Sequence, residues 1–139
     1  MLIISFVLFA IAHQGFSFRE QVVGVRGKLT CNGKNLNSAD VKLIDKNFIG
    51  PDIILASTKT DSDGNYELSG RSMAFLQMSV HLKIFHDCDD RGVPCQRTVD
   101  LRIPPSYVER NDVVSNYFDA GSMNMAFKYP NEQRSCFNG

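Results

Sequence analysis

The chain has 139 residues and a mass of 15.6 kDa, a size that suits one domain and leaves no room for a second. Hydrophobic residues make up 43% and charged residues 22%, a balance typical of a globular protein and not of a disordered or fibrous one. Lys and Arg together number 15, as do Asp and Glu together, so the net charge is zero. The sequence has no run of basic residues, so it does not predict nucleic-acid binding.

The N-terminus has the features of a secretory signal peptide. Leu2 to Phe9 is an uncharged, predominantly apolar run that includes Ser5, and it is shorter than the roughly 20 residues that cross a bilayer. Two small-x-small motifs follow it, ending at Ala12 and at Ser17. The sequence therefore predicts a signal peptide over 1–17 and a mature extracellular domain over 18–139. A buried N-terminal strand and a membrane anchor are the alternatives.

A period of two dominates the sequence from residue 22 onward, as expected for strands with one buried and one exposed face. The first predicted strand is Val23 to Cys31, where apolar or small residues alternate with mostly polar ones. Three later segments alternate as clearly: Leu76 to Cys88, Val99 to Ile103 and Met123 to Phe127. Weaker strand candidates are Asp40 to Asp45, Ile53 to Thr60, Asn65 to Ser69 and Val113 to Phe118.

Turn-forming residues separate these segments: Asn32-Gly33, Gly50-Pro51, Asp63-Gly64, Gly92, Pro104-Pro105 and Gly121. Short strands with frequent turns and no helical period are typical of two packed sheets. The sequence predicts an all-β fold, a two-sheet antiparallel β-sandwich of about seven to eight strands.

The segment Thr60 to Tyr66 has the oxygen ligands of a partial calcium loop. Asp61 and Asp63 are spaced as in an EF-hand, but the Glu that should follow is replaced by Gly70. An Asp-Gly hairpin turn explains the same residues, and it is the interpretation that we adopt.

The segment Ile84 to Arg91 is the richest in reactive side chains. The alternation places His86 on the apolar face with Cys88, which favours a buried histidine over a zinc ligand. The charged residues that follow predict an interaction surface; they are Asp87, Asp89, Asp90 and Arg91. We expect no metal and no cofactor, because the ligand sets for zinc and for calcium are incomplete.

The sequence offers little support for catalysis. It has no Gly-x-Ser-x-Gly motif, and a cysteine nucleophile would be oxidised after secretion. We therefore expect no catalytic residues and no enzymatic activity.

Several segments, in order, resemble the nematode transthyretin-like family: Val25 to Lys34, Val41 to Leu43, Thr60 to Gly70, Leu82 to Cys88, Cys95, and Ile103 to Val108. The resemblance implies a prealbumin (transthyretin)-like sandwich, secretion and a non-catalytic extracellular role. It predicts a binding or signalling module for a protein, a lipid or a small apolar ligand, as a monomer or a homodimer and without a membrane span.

Two other functions remain as alternatives. The wider fold includes 5-hydroxyisourate hydrolase, but this chain lacks the C-terminal Tyr-Arg-Gly-Ser of that enzyme and has no histidine in Val22 to Cys31. A structural role in the extracellular matrix is the other alternative.

On a prealbumin-like sandwich all four cysteines lie at the same end, so three pairings are open. The short loop between Cys88 and Cys95 favours a disulfide across it, which leaves Cys31 to pair with Cys136. The alternative, Cys31 with Cys88 and Cys95 with Cys136, would join the facing sheets.

Overall fold

A computed structural model describes residues 20–46 and 50–137, which we call the described residues. The signal peptide predicted over 1–17 lies outside them. The chain is all-β, which confirms the predicted fold class. Its strands are β1 (Gln21–Cys31), β2 (Lys34–Asn35), β3 (Asp40–Asp45), β4 (Ile53–Lys59), β5 (Asn65–Ser72), β6 (Val80–His86), β7 (Gln96–Arg102), β8 (Phe118–Asn124) and β9 (Gln133–Ser135). A 3₁₀ turn covers Pro105–Tyr107.

The strands form two sheets. In the first, β1 is central and pairs with β2, β5 and β8. In the second, the order is β4-β3-β6-β7-β9, and every pair is antiparallel. The pair of β1 with β8 is parallel, because the segment after β7 crosses to the first sheet beside the start of β1, at Glu109, and β8 runs from that end. Among the described residues, no helix is long and apolar enough to cross a bilayer.

The core lies between the two sheets and is built by the predicted alternation. Inward side chains of β1 and β6 are almost wholly buried; they are Val23, Val25, Leu29, Val80, Leu82 and Ile84. The sheets approach closely at Gly70, where an added Cβ would lie 2.6 Å from the Cβ of Leu55 on β4. Glycine at this position lets the end of β5 pack against the start of β4.

The strand predicted over Leu76 to Cys88 begins only at Val80. The side-chain amide of buried Gln21 donates to the carbonyls of Ala74 (2.8 Å) and Leu76 (2.7 Å), and its oxygen accepts from the N–H of Met78 (2.8 Å). These hydrogen bonds to a side chain take the place of backbone hydrogen bonds to a neighbouring strand. The segment before Val80 is therefore a loop, and Leu76 is exposed.

Two other predicted strands differ from the structure. Val113 to Phe118 is irregular except for its last residue, because the Glu109 carboxylate accepts hydrogen bonds from the backbone of Ser115 and Asn116. The strand predicted over Met123 to Phe127 ends at Asn124.

The turn predicted at Asp63-Gly64 is confirmed, but it is not a hairpin. The Asp61 carboxylate accepts from the N–H groups of Asp63 and Asn65, each at 2.9 Å, and Gly64 has φ +81°. The strands that it joins, β4 and β5, lie in different sheets. The turn is therefore the corner where the chain crosses from the second sheet to the first.

Candidate functional site

The first disulfide joins the two sheets. It links Cys31, the last residue of β1, to Cys88, just after β6, with Cα atoms 5.8 Å apart. The predicted pairs, Cys88 with Cys95 and Cys31 with Cys136, are therefore wrong. Cys88 is buried between the sheets, where it faces Cys31 and not the loop that leads to Cys95.

The second disulfide lies beside β9, a strand that the sequence does not predict. β9 pairs with β7 so that Gln96 lies opposite Ser135, and Cys95 and Cys136 occupy the next step of the same register. They are bonded, with Cα atoms 4.3 Å apart. The C-terminal segment therefore covers one edge of the second sheet.

A buried ion pair lies behind this edge. Arg97 of β7 makes two hydrogen bonds to the Glu132 carboxylate, at 2.9 and 2.8 Å, and the two side chains are 8% and 7% exposed. Arg97 also donates to the carbonyls of Cys88 (2.7 Å) and Phe127 (2.9 Å). Burial alone would raise the pKa of Glu132, but the hydrogen bonds and charge of Arg97 outweigh it and lower the pKa. Arg97 therefore joins three segments of the chain.

His86 is buried, as its position in the alternation predicts, and is 2% exposed. Its Nδ1 accepts from the N–H of Cys88 at 3.1 Å, so Nε2 carries the proton and has no partner among the described residues. Burial, together with the nearby charge of Arg97, lowers the pKa of His86 to about 4. The ring is neutral at physiological pH.

His81 lies on the opposite face of the same strand. The Asp100 carboxylate accepts from His81 Nδ1 at 2.7 Å and from Lys46 Nζ at 2.6 Å. Burial would raise the pKa of Asp100, but these two hydrogen bonds outweigh it and lower the pKa. The hydroxyl in this cavity belongs to Thr98, whose Oγ1 is buried without a hydrogen-bond partner among the described residues. His81 therefore has an orienting carboxylate but no hydroxyl that it activates.

A groove of about 620 Å³ lies on the first sheet, and we call it the polar groove. Its walls carry both signs of charge, including the exposed pair Arg26–Asp119 at 3.6 Å. The hydroxyl of Tyr66 is buried there without a partner among the described residues, and Gly27 leaves the space that it occupies. Burial and the charge of Asp119 raise the pKa of Tyr66 to about 12. Among the residues that the structure describes, no histidine lines this groove.

The residues of the predicted interaction surface lie in the loop between β6 and β7. Asp89 and Arg91 adopt positive φ and line a cavity of about 570 Å³, while Asp87 is exposed. Asp90 accepts from the N–H of Gly92 at 3.1 Å and so stabilises the loop. Within 20–46 and 50–137, no three His, Cys, Asp or Glu side chains come together in a way that could hold a metal ion.

The opposite end of the sandwich exposes apolar side chains. Met73, Phe75 and Leu76, in the loop after β5, are 65%, 73% and 71% exposed, and Ile53 and Ile54 at the start of β4 are about half exposed. The contact between Leu55 and Gly70 places the start of β4 beside the end of β5, so both groups lie at the same end. We call these five residues the apolar end.

A family model and several relatives indicate one family. The model of the Transthyretin-like family matches residues 26–104. Transthyretin-like protein 5 of Caenorhabditis elegans is 41% identical over 119 residues, which are 85% of this chain and 86% of that protein. Transthyretin-like protein 2 of the same organism is 37% identical over 92% of this chain and 90% of its own length. Transthyretin-like protein 33, also from this nematode, is 38% identical over 85% and 83%.

Proposed function

Because this chain belongs to the transthyretin-like family, we propose that it is a secreted, non-catalytic binding module that docks on lipid surfaces through its apolar end. The observation that carries the proposal is the group of exposed apolar side chains on the loop after β5. Isolated exposed apolar residues are ordinary, but a contiguous group marks an interaction site.

The chemistry of the apolar end favours a bilayer over a small apolar ligand. Met73, Phe75 and Leu76 line none of the cavities described above, so a small molecule has no enclosed space to enter beside them. A bilayer accepts apolar side chains of different sizes without a complementary pocket. Each of the three side chains contributes about 1–2 kcal/mol on burial, and the sum of about 4 kcal/mol corresponds to roughly a thousandfold preference for the bound state.

The loop is held firmly enough to present these side chains. The side-chain amide of Gln21 donates to the carbonyls of Ala74 and Leu76 in this loop, and Arg110 Nη2 donates to the carbonyl of Phe75 at 2.9 Å. The carbonyls of Ala74, Phe75 and Leu76 are therefore all hydrogen-bonded by the protein. Insertion of the tip then does not leave these three carbonyls without a hydrogen-bond partner, which lowers its cost.

Co-sedimentation with phosphatidylcholine vesicles tests the proposal, because uncharged vesicles isolate the apolar contribution. We expect the wild-type protein to pellet with the vesicles and the Phe75→Ser and Leu76→Ser variants to lose most of this binding. Phe127→Ser is the matched control, since Phe127 is 65% exposed but lies at the opposite end, where its carbonyl accepts from Arg97. Wild-type protein that stays in the supernatant, or an equal loss in the control, would contradict the proposal and leave a protein partner as the alternative.

The non-catalytic part of the proposal is supported by where the histidines lie. His81 and His86 are both on β6 in the second sheet, whereas the polar groove is on the first. A hydrolase needs its general base within hydrogen-bond reach of the bound substrate. We expect no turnover of 5-hydroxyisourate, followed by ultraviolet absorbance, and turnover that His81→Ala abolishes would overturn this part.

A further inference from the structure

The outer face of the second sheet carries a cavity of about 450 Å³, which we call the outer cavity. Leu82 and Ile84 of β6 point into the core, so the residues that alternate with them on this strand face outward. Three of the residues that line the cavity are cations: Lys46, Lys83 and Arg102. They come from three separate segments of the chain, which is why no basic run marks the cavity in the sequence.

The carboxylate in the outer cavity is already bound on both oxygens. Asp100 accepts from Lys46 Nζ at 2.6 Å and from His81 Nδ1 at 2.7 Å. Lys83 and Arg102 form no ion pair with any described residue. Even with a neutral histidine, the cations of the lining exceed the carboxylate by two charges. The outer cavity therefore carries a net positive charge although the whole chain is neutral.

The strand register places the two unpaired cations where a single anion can bind both. Lys83 of β6 lies opposite Asp100 of β7, and Arg102 follows two residues later on the same face. Such diagonal neighbours have Cα atoms about 7–8 Å apart, a span that long basic side chains can close around one anion. The other neighbour of Lys83 across the sheet is Lys42 of β3, and like charges in opposite positions destabilise a sheet. An anion beside Lys83 would relieve this repulsion.

The other side of the outer cavity carries neutral hydrogen-bonding groups. Thr98, two residues before Asp100 on the same face of β7, is 8% exposed, and its Oγ1 has no hydrogen-bond partner within the described part of the chain. Rotation about χ1 turns this hydroxyl toward the cavity. Gln133 of β9 lies opposite Thr98, and Asn131 also lines the cavity. A hydroxyl and two amides donate and accept hydrogen bonds, so they match the hydroxyl groups of a ligand.

We propose that the outer cavity binds a sugar phosphate. A phosphate monoester carries close to two negative charges at neutral pH, which balances the excess of two positive charges. The phosphate group lies between Lys83 and Arg102, and the sugar extends along β7 to Thr98. A volume of about 450 Å³ is within the range of small-molecule sites and exceeds what a phosphate group alone would fill. The inference does not rest on lipid docking at the apolar end.

The position of Lys83 favours a small soluble ligand over an anionic membrane. Lys83 is half-buried on β6, the central strand of the second sheet, with β3 on one side and β7 on the other. A planar bilayer contacts protruding side chains, whereas a small molecule can enter a concave site and reach a half-buried cation.

Isothermal titration of the mature protein with glucose 6-phosphate tests the proposal, with inorganic phosphate and glucose as separate titrants. We expect glucose 6-phosphate to bind, inorganic phosphate to bind about tenfold more weakly and glucose to produce no binding heat. The Lys83→Gln/Arg102→Gln variant lacks both unpaired cations and should lose about tenfold or more in affinity. Arg91→Gln/Lys128→Gln is the charge-matched control, because both residues are exposed and line the separate cavity of about 570 Å³. It should keep wild-type affinity.

Thr98→Val tests recognition of the sugar, because it removes the hydroxyl with little change in size. The hydroxyl has no partner within the described part of the protein, so we expect an unchanged Tm. The affinity for glucose 6-phosphate should fall several-fold, while that for inorganic phosphate stays the same. A lower Tm with unchanged affinity for glucose 6-phosphate would show a purely structural threonine and overturn the sugar part of the proposal.

Three other results would overturn the proposal. The first is inorganic phosphate that binds as tightly as glucose 6-phosphate, and the second is an equal loss in the two double variants. The third is binding through Lys83 and Arg102 to phosphatidylcholine vesicles that contain phosphatidylinositol 4-phosphate, without binding of glucose 6-phosphate, which would assign the cavity to a membrane. Arg102→Gln alone repeats the test if the double variant fails to fold, since Arg102 is exposed. Phe75→Ser should keep sugar-phosphate binding, so that failure of lipid docking and failure of this inference are distinguishable.

Discussion

Replacing Glu132 by Gln removes the charge that faces Arg97 while it keeps the size of the side chain. The guanidinium is 8% exposed, so the variant leaves a buried cation without its counter-charge. Removing one partner of a buried pair costs about 3–5 kcal/mol. Because the Gln oxygen still accepts one of the two hydrogen bonds, we expect a loss of about 2–3 kcal/mol in the free energy of unfolding. For a domain of this size the Tm falls by roughly 10 °C.

Urea denaturation followed by circular dichroism measures this loss. Asp119→Asn is the matched control, because its partner Arg26 lies 3.6 Å away and both side chains are more than half exposed. Such a pair contributes less than about 1 kcal/mol. The pKa of Glu132 is lowered in the folded state, so its contribution is complete above the ordinary carboxyl pKa and disappears as the pH falls through the folded-state pKa. Equal losses in Glu132→Gln and Asp119→Asn would refute the buried pair.

Three further results are expected. The pKa of His86 is lowered to about 4 in the folded protein, so as the pH falls below about 6.5 the unfolded chain binds a proton before the folded one does. Between these two pH values the free energy of unfolding therefore decreases by up to roughly 3 kcal/mol. In urea titrations the His86→Gln variant should show a weaker dependence of stability on pH in this range. A digest without reduction should yield peptides that join Cys31 to Cys88 and Cys95 to Cys136, and a peptide that joins Cys88 to Cys95 would contradict the structure. Gly70→Ala should lower the stability by about 1–3 kcal/mol in thermal melts, because its Cβ would lie 2.6 Å from that of Leu55; an unchanged Tm would show that the sheets can move apart there.

The sequence predicts the sandwich well where alternation is regular and one face is buried. The pattern of β5 shows this, since Tyr66 and Leu68 are buried while Asn65 and Glu67 between them are exposed. The resemblance to the transthyretin-like family, which rests on ordered segments along most of the chain, is confirmed.

One predicted strand start is wrong because a side chain makes hydrogen bonds that a neighbouring strand would otherwise make. Leu76 fits a period of two with Met78, but the amide of Gln21, more than 50 residues earlier, takes the hydrogen bonds that a strand would use. β9 has three residues, too few for a periodic signal, and its position decides the pairing of Cys95. No local pattern reports either effect.

The candidate sites could be predicted only in part. Arg91 is in the predicted interaction surface, and in the structure it lines a cavity of about 570 Å³. Lys128 and Arg134 line the same cavity, and they come near Arg91 only because β9 pairs with β7. Of the apolar end, Leu76 is predicted to begin a strand but lies in a loop, and the sequence predicts no element for Met73 and Phe75.

Fluorescence of a Phe75→Trp variant tests the central claim, lipid docking through the apolar end, most directly. The chain contains no Trp, so the introduced indole is the sole reporter of its kind, and Phe127→Trp provides a second exposed reporter at the opposite end. With phosphatidylcholine vesicles, we predict that the indole emission of the Phe75→Trp variant shifts to shorter wavelength and is quenched by lipids brominated in their acyl chains, while the Phe127→Trp variant shows neither effect. Unchanged emission from Phe75→Trp at saturating vesicle concentration, or the same shift in both variants, would contradict the claim.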